Sequence, residues 1–251
     1  MSSSHIVGSV TPGQVSGDKL ARLAGLLYFS CLPTVGLGVF SAQSLLENGT
    51  SSAAAQIAAS RSFLELGVLA GAVGAVTWLV LAVLFYALFR SVSDRACRLL
   101  VAFMVACALL MLAALARRMD AISLVTQSHA LGIDRDQLRV LTALAVRSSE
   151  NLMQASFIFS AVWLLPLGYL VFRSGFLPKT LGVLLMLGAP FYLASFVDAV
   201  LQLGYAKTPL AQVIGVVSGI PGIVGELGTS LWLLFRGTRG AWGAAAARLA
   251  P

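Results

Sequence analysis

Long apolar runs alternate along the chain with short polar and charged segments. The apolar runs are Leu20–Phe40, Phe63–Phe89, Leu99–Ala116, Ala155–Phe172, Thr180–Leu203 and Val213–Phe235. A helix rising ~1.5 Å per residue needs about 20 apolar residues to cross a hydrocarbon core of ~30 Å, and these runs have that length. The pattern therefore predicts an all-α, polytopic membrane protein, a bundle of six transmembrane helices. Pro33 is placed to kink the first of them, and Gly67 and Gly71, four apart in the second, suit close approach of two helix backbones.

The segment between the third and fourth runs, residues 119–150, is too polar to cross a membrane. Asp134 followed by Gln137 makes a capping box ahead of Leu138, Leu141 and Ala145, which predicts one amphipathic outer-surface helix, either standing apart or running on into the fourth span. Residues 1–18 are rich in Ser and Gly and lack the apolar core of a cleavable signal, so they read as a disordered cytoplasmic tail. Residues 19–237 form the membrane domain, and 238–251 a cytoplasmic C-terminal tail.

Composition agrees with the pattern and charge orients it. Hydrophobic residues make up 58% of the chain and charged residues 11%, well below the ~25% charged of soluble domains, and the mean hydropathy is +0.89. The net charge of +7 would suggest nucleic acid in a soluble chain. Here the positive residues sit at span ends, so the expected partner is the lipid bilayer, with no nucleic acid. Short loops carrying Arg90, Arg95 and Arg98, and Arg173 and Lys179, mark the cytoplasmic side, whereas most outer arginines fall in one long loop. Both termini are then cytoplasmic. Cys31, Cys97 and Cys107 lie in or beside apolar runs without the spacing of a disulfide framework or a zinc site.

Three stretches carry a resemblance: Ala21-Arg-Leu-Ala-Gly-Leu-Leu-Tyr28, Gly168-Tyr-Leu-Val-Phe-Arg-Ser-Gly-Phe-Leu-Pro-Lys-Thr-Leu-Gly-Val183, and Pro221-Gly-Ile-Val-Gly-Glu-Leu through Trp232-Leu-Leu-Phe-Arg-Gly237. Together they resemble a widespread bacterial family of six-span membrane proteins classed as a domain of unknown function, over roughly residues 21 to 237. The resemblance implies a helical bundle in a bacterial inner membrane and supplies no activity. In that family an Arg follows the Phe-Leu that opens the second span; here Glu65 follows Phe63-Leu64.

Candidate chemistry rests on charges that hydrocarbon excludes. An ionised carboxylate at the bilayer centre costs at least ~2.5 to 3.5 kcal/mol on insertion scales, so buried acids face a bundle interior, a cavity or a partner. Glu226 follows Pro221, Gly222 and Gly225 and falls near the middle of the sixth run, where the loosened helix leaves room for a ligand or a neighbouring helix. The bland alternative is a protonated glutamic acid that fastens two helices. Asp198 and Glu65 lie nearer the outer end, at the level of Arg117, Arg118 and Gln154, and these residues are expected to line a polar outer mouth. Ordinary interfacial residues and snorkelling arginines would look the same in sequence.

No His falls in any run and no phosphate-cradling Gly-x-x-x-x-Gly-Lys occurs, so no metal site and no cofactor is expected. Three functional classes stay open. One is binding or movement of a small lipophilic or amphiphilic molecule through the outer mouth. The second is an intramembrane enzyme in which Glu226 or Asp198, kept protonated, acts as a general acid on a hydrocarbon, with Phe157, Phe159, Trp163, Phe191, Tyr192 and Phe196 facing the developing cation. The third is a structural or partner-binding role. Oligomeric state is not legible.

Overall fold

The computed structural model describes residues 12–43, 53–128, 132, 134–201 and 209–238. They form six helices, α1 Pro12–Gln43, α2 Ala53–Phe89, α3 Asp94–Gln127, α4 Arg135–Ser174, α5 Lys179–Leu201 and α6 Pro209–Arg236, and no strand occurs among the described residues. Five of them, α1 to α5, are long and apolar enough to cross a membrane. The chain is thus a polytopic helical membrane protein.

All of the helices but α5 are longer than the apolar runs announce. α2 begins at Ala53, so residues 53–62 are helical rather than loop, with a break in helical backbone geometry at Ser60 (φ −122°, ψ 27°). The alanines at 53–55, 58 and 59 favour helix even though they add little hydropathy. α3 continues past Arg117 and Arg118 to Gln127, because Ala121, Ile122 and Val125 extend its apolar face against Ile57, Leu64, Val68 and Val146. The separate outer-surface helix does not form. The capping box of Asp134 and Gln137 is present, but it opens a continuous 40-residue α4, and no Gly or Pro interrupts that helix before Pro166. Of the tail assigned to residues 1–18, residues 12–18 are the start of α1, and residues 1–11 lie outside the described residues, as do 239–251 of the C-terminal tail.

Each helix packs on its neighbours in the chain, and α6 returns against α1, so the six close into a ring in which α2 also touches α4 across the middle. The tightest seam is α3 against α4. Cys107, Ala114 and Ala121 recur every seven residues on α3, and Thr142, Ser149 and Ser156 every seven on α4, all buried. Small residues at this spacing let antiparallel helices approach closely. The register is fixed by two cross-helix bonds: Ser149 Oγ donates to Ala114 O at 2.8 Å, and Cys107 Sγ to Ser156 O at 3.7 Å. The same step carried one turn pair further sets Ala121 beside Thr142. All three cysteines are free and buried.

Glycines close the rest of the ring. A Cβ on Gly38 would sit 3.2 Å from Gly71 Cα, and one on Gly71 would sit 3.0 Å from a Leu115 methyl, which makes the Gly67/Gly71 pair a packing device between α1, α2 and α3. Gly188 of α5 and Gly222 of α6 meet backbone to backbone. At the basic end Asp18 clasps the ring shut. Its Oδ1 accepts from Thr238 N at 2.8 Å and from the Thr238 hydroxyl, just beyond Gly237, whose φ of +60° ends α6 in the left-handed region.

Candidate functional site

Glu226 lies ten residues before Arg236, which puts it ~15 Å along the helix from the basic end. The α6 face that carries it, with Gly222, Gly225, Thr229 and Ser230, turns inward because its small residues fit against α1 and α5. Glu226 is 5% exposed. The Tyr192 hydroxyl of α5 donates to Glu226 Oε1 at 3.5 Å, a long bond. Tyr28, fully buried on α1, is a second hydrogen-bonding neighbour of the same carboxyl, looser than Tyr192.

Behind Tyr28 stands an aromatic wall drawn from three helices. Its ring meets Phe85 at 5.5 Å and Trp78 at 6.1 Å, both on α2, and Trp163 of α4 at 6.5 Å, all edge to face. Trp78 and Trp163 meet at 5.0 Å with planes 86° apart. Tyr192 adds contacts to Phe191 and Phe157. The indole N–H groups of Trp78 and Trp163, and the hydroxyl of Thr229 one turn from Glu226, are buried without hydrogen-bond partners. Buried polar groups are nearly always paired, so this concentration of orphans around one acid marks the spot in the bundle where chemistry is least settled by the fold itself.

The other residues expected at the site lie toward the opposite end, and Glu65 and Arg117 are held there in local pairs. Glu65 pairs with Arg61 at 2.7 Å on the α2 surface, and Arg117 with Asp120 at 3.2 Å on the α3 surface; both are local pairs with more than two-fifths of each side chain exposed. Arg118 is instead 1% exposed. Its Nη1 donates to Gly38 O at 2.7 Å and to Ser41 Oγ at 3.5 Å, which ties α3 to α1. Glu150 of α4 lies within its electrostatic reach and accepts from Gln154 Nε2 at 2.8 Å. Asp198 is half-buried on α5. Sequence reading had no means of separating Arg117 from Arg118, and it left Tyr28 and Trp78 unmarked. The seven-residue spacing on α3 and α4 was the available signal for which α4 residues, Trp163 among them, turn inward.

The fold and this centre define a multi-pass helical membrane protein built around a buried carboxyl. The family described as "Domain of unknown function (DUF4386)" matches residues 23–237, and the chain belongs to it. No curated protein and no solved structure matches the chain.

Proposed function

We propose that this protein binds, within the bilayer, a small amphiphilic molecule whose polar end is held at Glu226. The observation that carries the reading is the nearly buried Glu226, met among the described residues by the long bond from Tyr192 and the looser neighbour Tyr28, beside the groups of Trp78, Trp163 and Thr229 that have no hydrogen-bond partner there. A polar group arriving there meets donors and an acid that the protein leaves uncommitted, and the aromatic wall receives its apolar part. The polar end reaches Glu226 from the end of the bundle where Arg118, Glu150 and Gln154 are sunk among the helices; Glu65 and Arg117 stand outside that route.

α6 is the sixth span in this reading, supported by its outward-facing Ile220, Ile223, Val224, Leu231 and Phe235. The membrane is the bacterial inner membrane with both termini cytoplasmic, which the basic short loops support. A reporter fused after Pro251 that is active only on the outer side overturns the orientation.

Glu226→Gln tests the function, because it keeps size and a hydrogen-bond donor while removing the acid. The protein is purified in mild detergent, its bound small molecules are extracted and quantified, and thermal stability is measured alongside. The expected result is an amphiphile retained by the natural chain and lost from a variant that melts at the same temperature. Equal small-molecule content in both overturns the reading and leaves Glu226 as helix packing.

A further inference from the structure

We infer that the polar end held at Glu226 is a cation, an amine or quaternary ammonium; this deepens the binding reading above and rests on it. The first ground is charge. Glu226 is nearly buried and its hydrogen-bonding neighbours, the Tyr192 and Tyr28 hydroxyls, are neutral. The ion pairs among the described residues, Arg61–Glu65, Arg98–Asp94 and Arg117–Asp120, are each made within one helix on its outer face, so none supplies Glu226 with a counter-ion. An acid kept inside a membrane bundle without a basic partner is the arrangement in which a ligand serves as the counter-ion.

The second ground is independent of the acid. Tyr28, Trp78 and Trp163 come from three different helices and meet edge to face with centroids 5.0 to 6.5 Å apart. Aromatic faces carry negative potential, and Trp and Tyr are the strongest of them toward a desolvated cation. A positive head gains from both the carboxylate and the rings. A neutral head gains hydrogen bonds from the unpaired N–H and O–H groups alone, and an anionic head, though those donors attract it, is repelled by the carboxylate and the ring faces.

The test uses the full chain in lipid nanodiscs and three probes that differ only in the head: octyltrimethylammonium, octanol and octanoate. Binding is read by intrinsic tryptophan fluorescence in a chain with Trp232 and Trp242 replaced by Phe, so that the signal comes from Trp78 and Trp163, and by the shift in melting temperature. We expect saturable binding of the ammonium probe, weakened at least about tenfold by Glu226→Gln and largely kept by Glu226→Asp, with octanol and octanoate at least about tenfold weaker on the natural chain. If octanol or octanoate binds as tightly as the ammonium probe and with the same sensitivity to Glu226→Gln, the cation inference is overturned while the binding reading stands. If no probe saturates, or none responds to Glu226→Gln in a variant of unchanged melting temperature, both fall.

Discussion

Gly25 and Gly36 lie on the same helix and separate two contributions that a glycine substitution usually mixes. A Cβ on Gly25 would meet Ser230 O at 2.7 Å and Leu233 C at 2.9 Å, with Leu234 N closer still, and all three are backbone atoms of α6 that cannot rotate away. A Cβ on Gly36 meets nothing within 4 Å. Replacing either by Ala adds the same intrinsic helix propensity, roughly 0.8 to 1 kcal/mol in favour of the folded state. Only Gly25→Ala also forces α1 and α6 apart by several tenths of an ångström, and overpacking of this kind costs about 1 to 3 kcal/mol. The difference between the two variants cancels the propensity and isolates the closure of the ring. Reversible unfolding in mixed micelles titrated with sodium dodecyl sulphate measures it. Gly36→Ala is expected to be neutral or slightly stabilising, and Gly25→Ala less stable than it by about 1 to 3 kcal/mol. Equal effects of the two substitutions refute the α1–α6 contact and with it the closed ring.

Three further outcomes are expected from the same assay. Arg118→Ala loses a charge-assisted bond to Gly38 O, a class worth about 1.5 to 3 kcal/mol, whereas the adjacent Arg117→Ala removes an exposed pair and changes stability by less than about 1 kcal/mol; equal effects would remove Arg118 from the interior. Ser149→Ala deletes the α4-to-α3 hydrogen bond and costs about 0.6 kcal/mol, the average for hydrogen bonds between membrane helices, and at most about 1.7 kcal/mol, while Ser148→Ala is silent. Asp18→Ala releases both bonds to Thr238 and lowers stability by about 1 kcal/mol or more; an unchanged variant would show that the clasp at the basic end does not form in the membrane.

The helical membrane class was legible because a membrane span announces itself by length and hydropathy alone. Helix ends were not, since hydropathy marks where the lipid stops and not where the helix does: Arg117 and Arg118 look like a terminus, yet α3 runs on for nine residues because Ala121 and Ile122 still have a partner in Val146. Glu226 was legible as an acid where hydrocarbon excludes acids. Its companions were not, because Tyr28 and Trp78 have no feature in sequence that separates an inward aromatic from a lipid-facing one, and only the ring closure brings α1 and α2 to the level of α6. Two of the residues expected in the polar outer mouth turn out to be engaged elsewhere for the matching reason. Glu65 and Arg117 have partners three or four residues away on their own helices, and a local pair satisfies a charge without any other helix.

Where the helices end has a practical side. At the basic end the chain passes between helices within residues 90–93 and again within 175–178. At the other end α2, α3 and α4, which are ~51 to ~60 Å long at the helical rise, outlast a ~30 Å hydrocarbon core together and share a small apolar core of their own. That extension gives a protease, an antibody fragment or a crystallisation chaperone a folded handle beyond the reach of the hydrocarbon.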